Sequence, residues 1–432
     1  VLVDPRLYWF IVAVSLLSFV TLPFLRNRSV RVAFSLVFAV GLFCELVNRR
    51  LTGEELRIAT LEPLMVAYKE VGFFLLEYLS ILVWPAQFCI LLVLIFSMTP
   101  ARRYSVTTRF AVLPVVASLL VGYAIFSGYR SNQSFPGPVA LPSQLFLAIH
   151  DRTKYRVLKR TVPPLPLVGP GTRNVVLVVD ESIRSDFMQI NEAQFDNMPF
   201  TTGVADRIAN FGNSVSYSSA SARTRLALRV GMRMQDVPDP ERNLMLRPTF
   251  WQYASRAGYE TVYLDGWRQF RGNHSFLNYE ETTFIDRRVT PEGATFLDMD
   301  DRLATMLAEE LERPGKHFIF VEKIGVHPPY EANISDFESY RPDEGIAALQ
   351  ADTEEQREKL RYYMIGIENR VDRFFKALLA STDLADTVLI YTSDHGQSLF
   401  QGGYDLTHGR VLSDAHWGEG LVPLFVLSGI PD

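Results

Sequence analysis

Four long apolar segments crowd the first 127 residues, and they decide how this chain can fold. Residues 7–25, 32–47, 81–98 and 110–127 carry almost no charge; Glu45 is the exception. Each approaches the roughly 20 residues that an α-helix needs to cross a hydrocarbon layer ~30 Å thick. One such segment could be the core helix of a soluble domain. Four in so short a stretch point to a membrane-spanning helical domain over residues 1–128.

Arginine placement gives the orientation. The loop after the first segment carries Arg26, Arg28 and Arg31, and the loop after the third carries Arg102, Arg103 and Arg109. Neither loop holds an acid, so both read as cytoplasmic. The loop after the second segment mixes Arg49, Arg50, Arg57 and Lys69 with Glu54, Glu55, Glu62, Glu70 and Glu77. That loop and everything after residue 127 are expected outside. The same logic places Val1 outside, so one more helix is expected upstream of this sequence. Within the second loop, residues 61–79 are amphipathic: Leu64, Met65, Tyr68, Val71, Leu75 and Tyr78 recur every three or four positions. Such a segment lies in the outer interface or packs on the soluble part. Residues 129–171 are punctuated by proline and read as a connector, with a short helix near 145–157.

From residue 172 to 432 the pattern is that of a soluble α/β domain. The apolar run at 174–179, rich in β-branched residues, and the segments at 261–264, 317–322, 387–391 and 422–426 read as strands. Helical periodicity at 250–257, 299–311 and 360–379 lies between them. Strands alternating with helices predict a mostly parallel sheet covered on both faces. Both cysteines, Cys44 and Cys89, lie in the apolar segments, so this domain has neither a disulfide nor a cysteine metal site. A net charge of −5 gives no reason to expect nucleic acid as the partner.

In such sheets ligands bind beyond the carboxyl ends of the strands. Polar residues gather there. Asp180 and Glu181 follow the first strand, and Asp394 and His395 follow the strand at 387–391. His327 lies beyond the strand at 317–322, and His408 comes later. Carboxylates and imidazoles at several strand ends are the ingredients of an oxygen/nitrogen metal site. A small-residue stretch, Ser216 to Ser221, runs into a helical pattern containing Thr224, Arg225 and Gly231. A hydroxyl at a helix N-terminus beside a metal is a candidate nucleophile. The same serine could be a plain helix cap.

Four motifs in this order carry a family resemblance: Val-Val-Asp180-Glu181-Ser-Ile-Arg184, the Ser/Thr-rich stretch, His327-Pro-Pro and Ser393-Asp394-His395-Gly396. The chain resembles the alkaline phosphatase/sulfatase superfamily, and within it the membrane-bound phosphoethanolamine transferases that modify lipid A or other surface glycans. The resemblance implies several N-terminal spans and a periplasmic sulfatase-like domain. It implies zinc, with manganese, calcium or magnesium as alternatives, held by Glu181, Asp394 and His395. His327 and His408 would then lie near the phosphate or a second metal. Asp180 stands where the family has glycine and resembles the paired acids of sulfatases, so it could add a ligand.

The family nucleophile lies about 40 residues after the glutamate, which is the position of Ser221. The sulfatase signature gives the same register, with Arg225 in its arginine place, where it would bind substrate, and Gly231 in its glycine place. Thr224 is the family's residue type in another register and is the alternative. Two departures stand out. Arg223 occupies a position where sulfatases need Pro or Ala, and the cysteines that staple the lipid A enzymes are missing. A C-terminal piece is also expected beyond Asp432.

The implied reaction moves phosphoethanolamine from phosphatidylethanolamine to an envelope glycan or glycolipid through a covalent enzyme intermediate. The implied protein is a multi-pass, monomeric component of a bacterial inner membrane, active in lipopolysaccharide modification. Rival expectations are a phosphoglycerol transferase, a sulfatase or phosphodiesterase-type hydrolase, and a silent membrane-anchored scaffold.

Overall fold

A computed structural model describes residues 5–52, 56, 79–98, 107–126, 139–146, 149, 160–163, 171–236, 239, 243–271, 275–277, 279–334, 353–401, 407–409 and 415–429. The amphipathic segment at 61–78 lies outside these residues. So do most of the connector at 129–171 and the end of its expected helix. The chain divides into two units, Val1–Lys154 and Tyr155–Asp432.

In the first unit, helices form at all four apolar segments. They are α1 (Pro5–Thr21), α2 (Arg28–Thr52), α3 (Leu79–Ser97) and α4 (Val112–Phe126). α2 packs on α3, and α1 on α4. Ile11, Phe38, Leu92, Phe96, Ala117 and Val121 fill the space between them. The outer surface is apolar as well: Trp9, Leu17, Val40, Trp84, Leu94 and Leu119 are exposed. A bundle that is apolar inside and outside suits a hydrocarbon solvent rather than water. The spans at Arg28–Arg50 and Leu79–Ser97 are long and apolar enough to cross a membrane, whereas Trp9–Phe24 and Arg109–Tyr123 are shorter. Several polar side chains inside the bundle bond to its own backbone. Ser15, Ser18 and Ser35 donate to carbonyls one turn back. Buried Arg31 donates to the carbonyls of Leu25, Arg26 and Phe96 at helix ends.

The second unit is built on a seven-stranded sheet. Its strands are β1 (Asn174–Asp180), β2 (Ile208–Val215), β3 (Glu260–Asp265), β4 (Arg287–Val289), β5 (His317–Glu322), β6 (Thr387–Ser393) and β7 (Leu421–Ser428). The order is β2-β7-β6-β1-β5-β3-β4. β6, β1, β5, β3 and β4 are mutually parallel, and β7 joins antiparallel to β6 and β2. The expected mostly parallel sheet is therefore present. Alternation along the central strands splits the core in two. Val176, Val178, Val262, Ile319 and Val321 face one layer, and Val179, Tyr263 and Phe320 face the other.

The helices of this unit include α5 (Ser221–Arg229), α6 (Phe250–Arg256) and α7 (Met299–Glu312). α8 (Glu354–Ile367) and α9 (Arg373–Ser381) follow, joined by a π-helical turn at Glu368–Asp372. α7, α8 and α9 cover the first layer through Leu303, Leu307, Leu360 and Phe374, and Trp251 of α6 anchors the second. The expected helix at 360–379 is thus two helices around a wide turn. A π-turn leaves carbonyls unpaired within the helix. Here the Arg370 carbonyl accepts from buried Lys323 Nζ at 2.5 Å. β2 and β4 escaped the sequence reading because they are edge strands. β2 is polar and largely exposed, and β4 is three residues long.

Candidate active site

Parallel pairing aligns the carboxyl ends of β1, β5 and β6. Val179 pairs with Glu322, and Asp180 pairs with Ser393. The residues that follow, Glu181 after β1 and Asp394-His395 after β6, therefore emerge side by side. Short backbone bonds fix them. The Asp394 amide donates to the Asp180 carbonyl at 3.0 Å. Asp394 Oδ1 accepts from the amides of Ser182, at 3.1 Å, and His395, at 2.8 Å. Ser182 turns the chain with a φ of 66°, a left-handed conformation that costs a non-glycine residue energy. The Tyr363 hydroxyl braces this turn by donating to the Ser182 carbonyl at 2.9 Å and accepting from the Arg184 amide at 2.8 Å.

α5 brings the hydroxyl. Ser221 Oγ lies 2.9 Å from Glu181 Oε1 and 3.1 Å from His395 Nε2. His395 Nε2 is itself 3.1 Å from Glu181 Oε1. His395 Nδ1 lies 2.8 Å from the Gly396 carbonyl, which can only accept, so Nδ1 carries a proton. Nε2 of the neutral ring then presents its lone pair to the Glu181–Ser221 side. Thr224 does not share this place. Its hydroxyl donates to the Ser218 carbonyl at 2.7 Å and accepts from the Ser218 amide at 3.1 Å. The threonine holds the loop that leads to Ser221.

Glu181, Asp394 and His395 form one group able to hold a metal, and Glu181, His327 and His408 form another. The first trio is fully buried. Ser221, His327 and His408 are half-buried. The His408 ring stacks on His395 at 4.5 Å, and His327 packs edge-on against it at 6.0 Å. A closed ligand set thus adjoins a reachable hydroxyl and two imidazoles.

The charges of the first trio fit a cation. Burial alone would raise the Glu181 carboxyl, but the Arg225 guanidinium overrides it and holds the group well below the usual range. Burial, and then the charge of Glu181, raises Asp394. Burial disfavours a charged His395, but Asp394 and Glu181 outweigh it and push the ring up to about 9. The field that attracts a proton to His395 attracts a metal ion equally. Asp394 Oδ2 is buried and accepts no hydrogen bond, although Arg225 stands 3.2 Å away. Two carboxylates, one imidazole and a serine hydroxyl match the donor preferences of zinc and similar ions. The residues therefore fit a metal.

Two expected roles are corrected. Asp180 adds no ligand: its side chain points to the other side of the strand, where Lys323 Nζ at 2.5 Å and the Tyr391 hydroxyl at 2.7 Å take Oδ2. Burial lifts this carboxyl to about 6 against the pull of Lys323. Arg225 does not reach out to substrate. It is fully buried and stands 2.5 Å from Glu181 Oε2 and 2.6 Å from Glu322 Oε1. Glu322 and Gly325 were not singled out from sequence. An acid ending a predicted strand is the signal that marks Glu322. Gly325 lies on the path from that strand to His327.

The sulfatase family profile matches residues 173–429, more than half of the chain, and the chain belongs to that family. Among solved structures it is similar to an integral membrane protein from Neisseria meningitidis, lipooligosaccharide phosphoethanolamine transferase A. Identity is 20%, the match covers 91% of this chain and 77% of that one, and the TM-score is 0.64. The C-terminal periplasmic domain of EcEptC from Escherichia coli, solved with zinc, is 18% identical. That match covers 62% of this chain and 77% of the other, with a TM-score of 0.50. No curated protein matches in sequence. At these identities the structural likeness establishes the fold, which bears out the architecture expected from the motifs.

Proposed function

We propose that the chain is a membrane-anchored, metal-dependent transferase that moves phosphoethanolamine from phosphatidylethanolamine to an envelope glycan or lipid A. The observation that carries this reading is the position of Ser221 Oγ, 2.9 Å from Glu181 Oε1 and 3.1 Å from His395 Nε2, inside a metal-type ligand set. One solved protein with this fold is a phosphoethanolamine transferase by name, and another was solved with zinc.

Glu181, Asp394 and His395 would hold the ion, zinc by preference. When bound it lowers the pKa of the serine hydroxyl and offsets charge on the phosphate oxygens. The Ser221 proton has Glu181 Oε1, 2.9 Å away, as an acceptor within reach. Ser221 Oγ then bonds to the lipid phosphorus as the bond to the diacylglycerol oxygen breaks. His327 and His408, on the reachable side, give that oxygen its proton. An acceptor hydroxyl, or a phosphate oxygen, attacks the same phosphorus, and a hydroxyl's proton goes to the histidine that lost one. The Ser221–phosphorus bond breaks, Ser221 regains its proton from Glu181, and the acceptor carries the head group away. Apolar helices α1–α4 keep the enzyme at the bilayer that holds its donor. The arginines without acids around residues 26–31 and 102–109 support a catalytic unit outside a bacterial inner membrane, in the periplasm.

The test uses the full chain in liposomes containing head-group-labelled phosphatidylethanolamine. Label on the peptide containing Ser221, found by mass spectrometry, supports the reading. Label from phosphatidylglycerol instead would make it a phosphoglycerol transferase. Zinc-loaded protein that takes no label from either lipid refutes it.

A further inference from the structure

Glu322 lies outside the ligand set, yet one side chain connects it to two ligands. It ends β5, is buried, and its carboxylate accepts the Tyr263 hydroxyl. Glu322 Oε1 is 2.6 Å from one terminal nitrogen of Arg225. The other terminal nitrogen is 2.5 Å from Glu181 Oε2 and 3.2 Å from Asp394 Oδ2. Tyr263, Glu322, Arg225 and the ligand carboxylates thus form one chain of contacts from β3 through β5 and α5 to β1 and β6.

A guanidinium is always charged and cannot ligate metal. Placed between two metal-binding carboxylates, it competes with a metal for them. Glu322 relieves that competition from behind. It draws on the far arm of the guanidinium and balances its charge. The two ligand carboxylates then keep their net negative charge for a divalent ion. The same hold decides which oxygen of Glu181 is used. Arg225 occupies Oε2, and Oε1 is left facing Ser221 and His395.

We propose that Glu322 is a positioning residue for the metal centre, acting through Arg225 to orient Glu181 and to preserve cation affinity. The inference rests on Glu181 and Asp394 being ligands, as the function above requires. A buried ion pair with a purely architectural role is the competing account, and the two differ in their effect on the metal.

The test uses the detergent-solubilised full chain, with zinc affinity read by chelator competition and cobalt as a spectroscopic probe. Glu322→Gln keeps the shape and removes the charge. Zinc affinity is expected to fall about 10–100-fold, the usual effect of losing a partner of a ligand. The visible bands of the cobalt form should shift as Glu181 reorients. The double variant R225Q/E322Q removes both charges and is expected to recover most of the lost affinity. Unchanged zinc affinity in E322Q overturns the proposal, as does a double variant that binds no better than E322Q. If E322Q does not fold, Glu322→Asp keeps the charge on a shorter arm. It should hold zinc with altered cobalt bands, and unaltered bands overturn the proposal. None of these readouts uses the lipid, so failure of the transferase reading would leave them interpretable.

Discussion

Gly325 passes so close to Glu181 that a β-carbon on it would lie 2.2 Å from the Glu181 carbonyl oxygen and 2.5 Å from its amide nitrogen. Both are backbone atoms and cannot swing aside. Gly325 also has a φ of 61°, which strains any side-chain-bearing residue. The neighbouring Val326 amide donates to that same carbonyl at 3.0 Å. Gly325→Ala must therefore displace the strand end that carries Glu181. We expect a loss of roughly 2–4 kcal/mol in stability, the range of overpacked or strained sites, and weakened zinc binding. Thermal unfolding and chelator competition on the variant measure both. A G325A protein with wild-type zinc affinity would contradict the role given to this contact.

Ser221 and Thr224 separate on geometry. Ser221→Ala should abolish the labelled adduct and lower turnover at least about a thousandfold, as loss of a nucleophile does. Thr224→Ala should still form the adduct, because its hydroxyl bonds to the Ser218 backbone. Losing those bonds costs about 1–2 kcal/mol of stability. Adduct on S221A but not on T224A would reverse the assignment.

The strand-end residues Glu181, Asp394 and His395 were legible in sequence because each follows a short apolar run rich in β-branched residues, whose end marks the end of a strand. Ser221 was legible as a register, 40 residues after Glu181. What sequence could not show was direction. Asp180 and Glu181 are adjacent, so their side chains leave opposite faces of the strand, and only one can join Asp394. Arg225 sits at a signature position, but its partners come from β1, β5 and β6, far apart in the chain. Edge strand β2 lacked an apolar pattern because most of its residues are exposed.

Zinc binding should compete with a proton on His395. The ring is pushed up to about 9 by Asp394 and Glu181, so below that pH it is charged and must lose a proton to ligate metal. Apparent zinc affinity is expected to rise with pH and to flatten near 9. About one proton should leave His395 per ion bound at neutral pH, read as acidification on adding zinc to weakly buffered protein. Treatment with a chelator should abolish the serine adduct, and added zinc should restore it. Zinc affinity that stays constant between pH 6 and 9, with no proton released, would remove His395 from the ligand set.

Lys323 is fully buried behind the site, with Nζ 2.5 Å from Asp180 Oδ2 and 2.5 Å from the Arg370 carbonyl. Phe374 packs under the ammonium at 4.6 Å. Lys323→Met keeps the aliphatic stem but leaves the Asp180 carboxylate without its cation, and it frees a carbonyl in the π-turn. Removing one partner of a buried pair costs about 3–5 kcal/mol, more than the pair itself contributes. The double variant K323M/D180N removes the stranded charge, so it should be more stable than K323M. Because Asp180 is no ligand, that double variant should also bind zinc within a few fold of wild type once folded. Unfolding curves and zinc titrations on the two proteins decide the point. Equal instability in both would mean that the cost comes from the π-turn carbonyl or from buried Asp300, 3.9 Å from Nζ, rather than from Asp180.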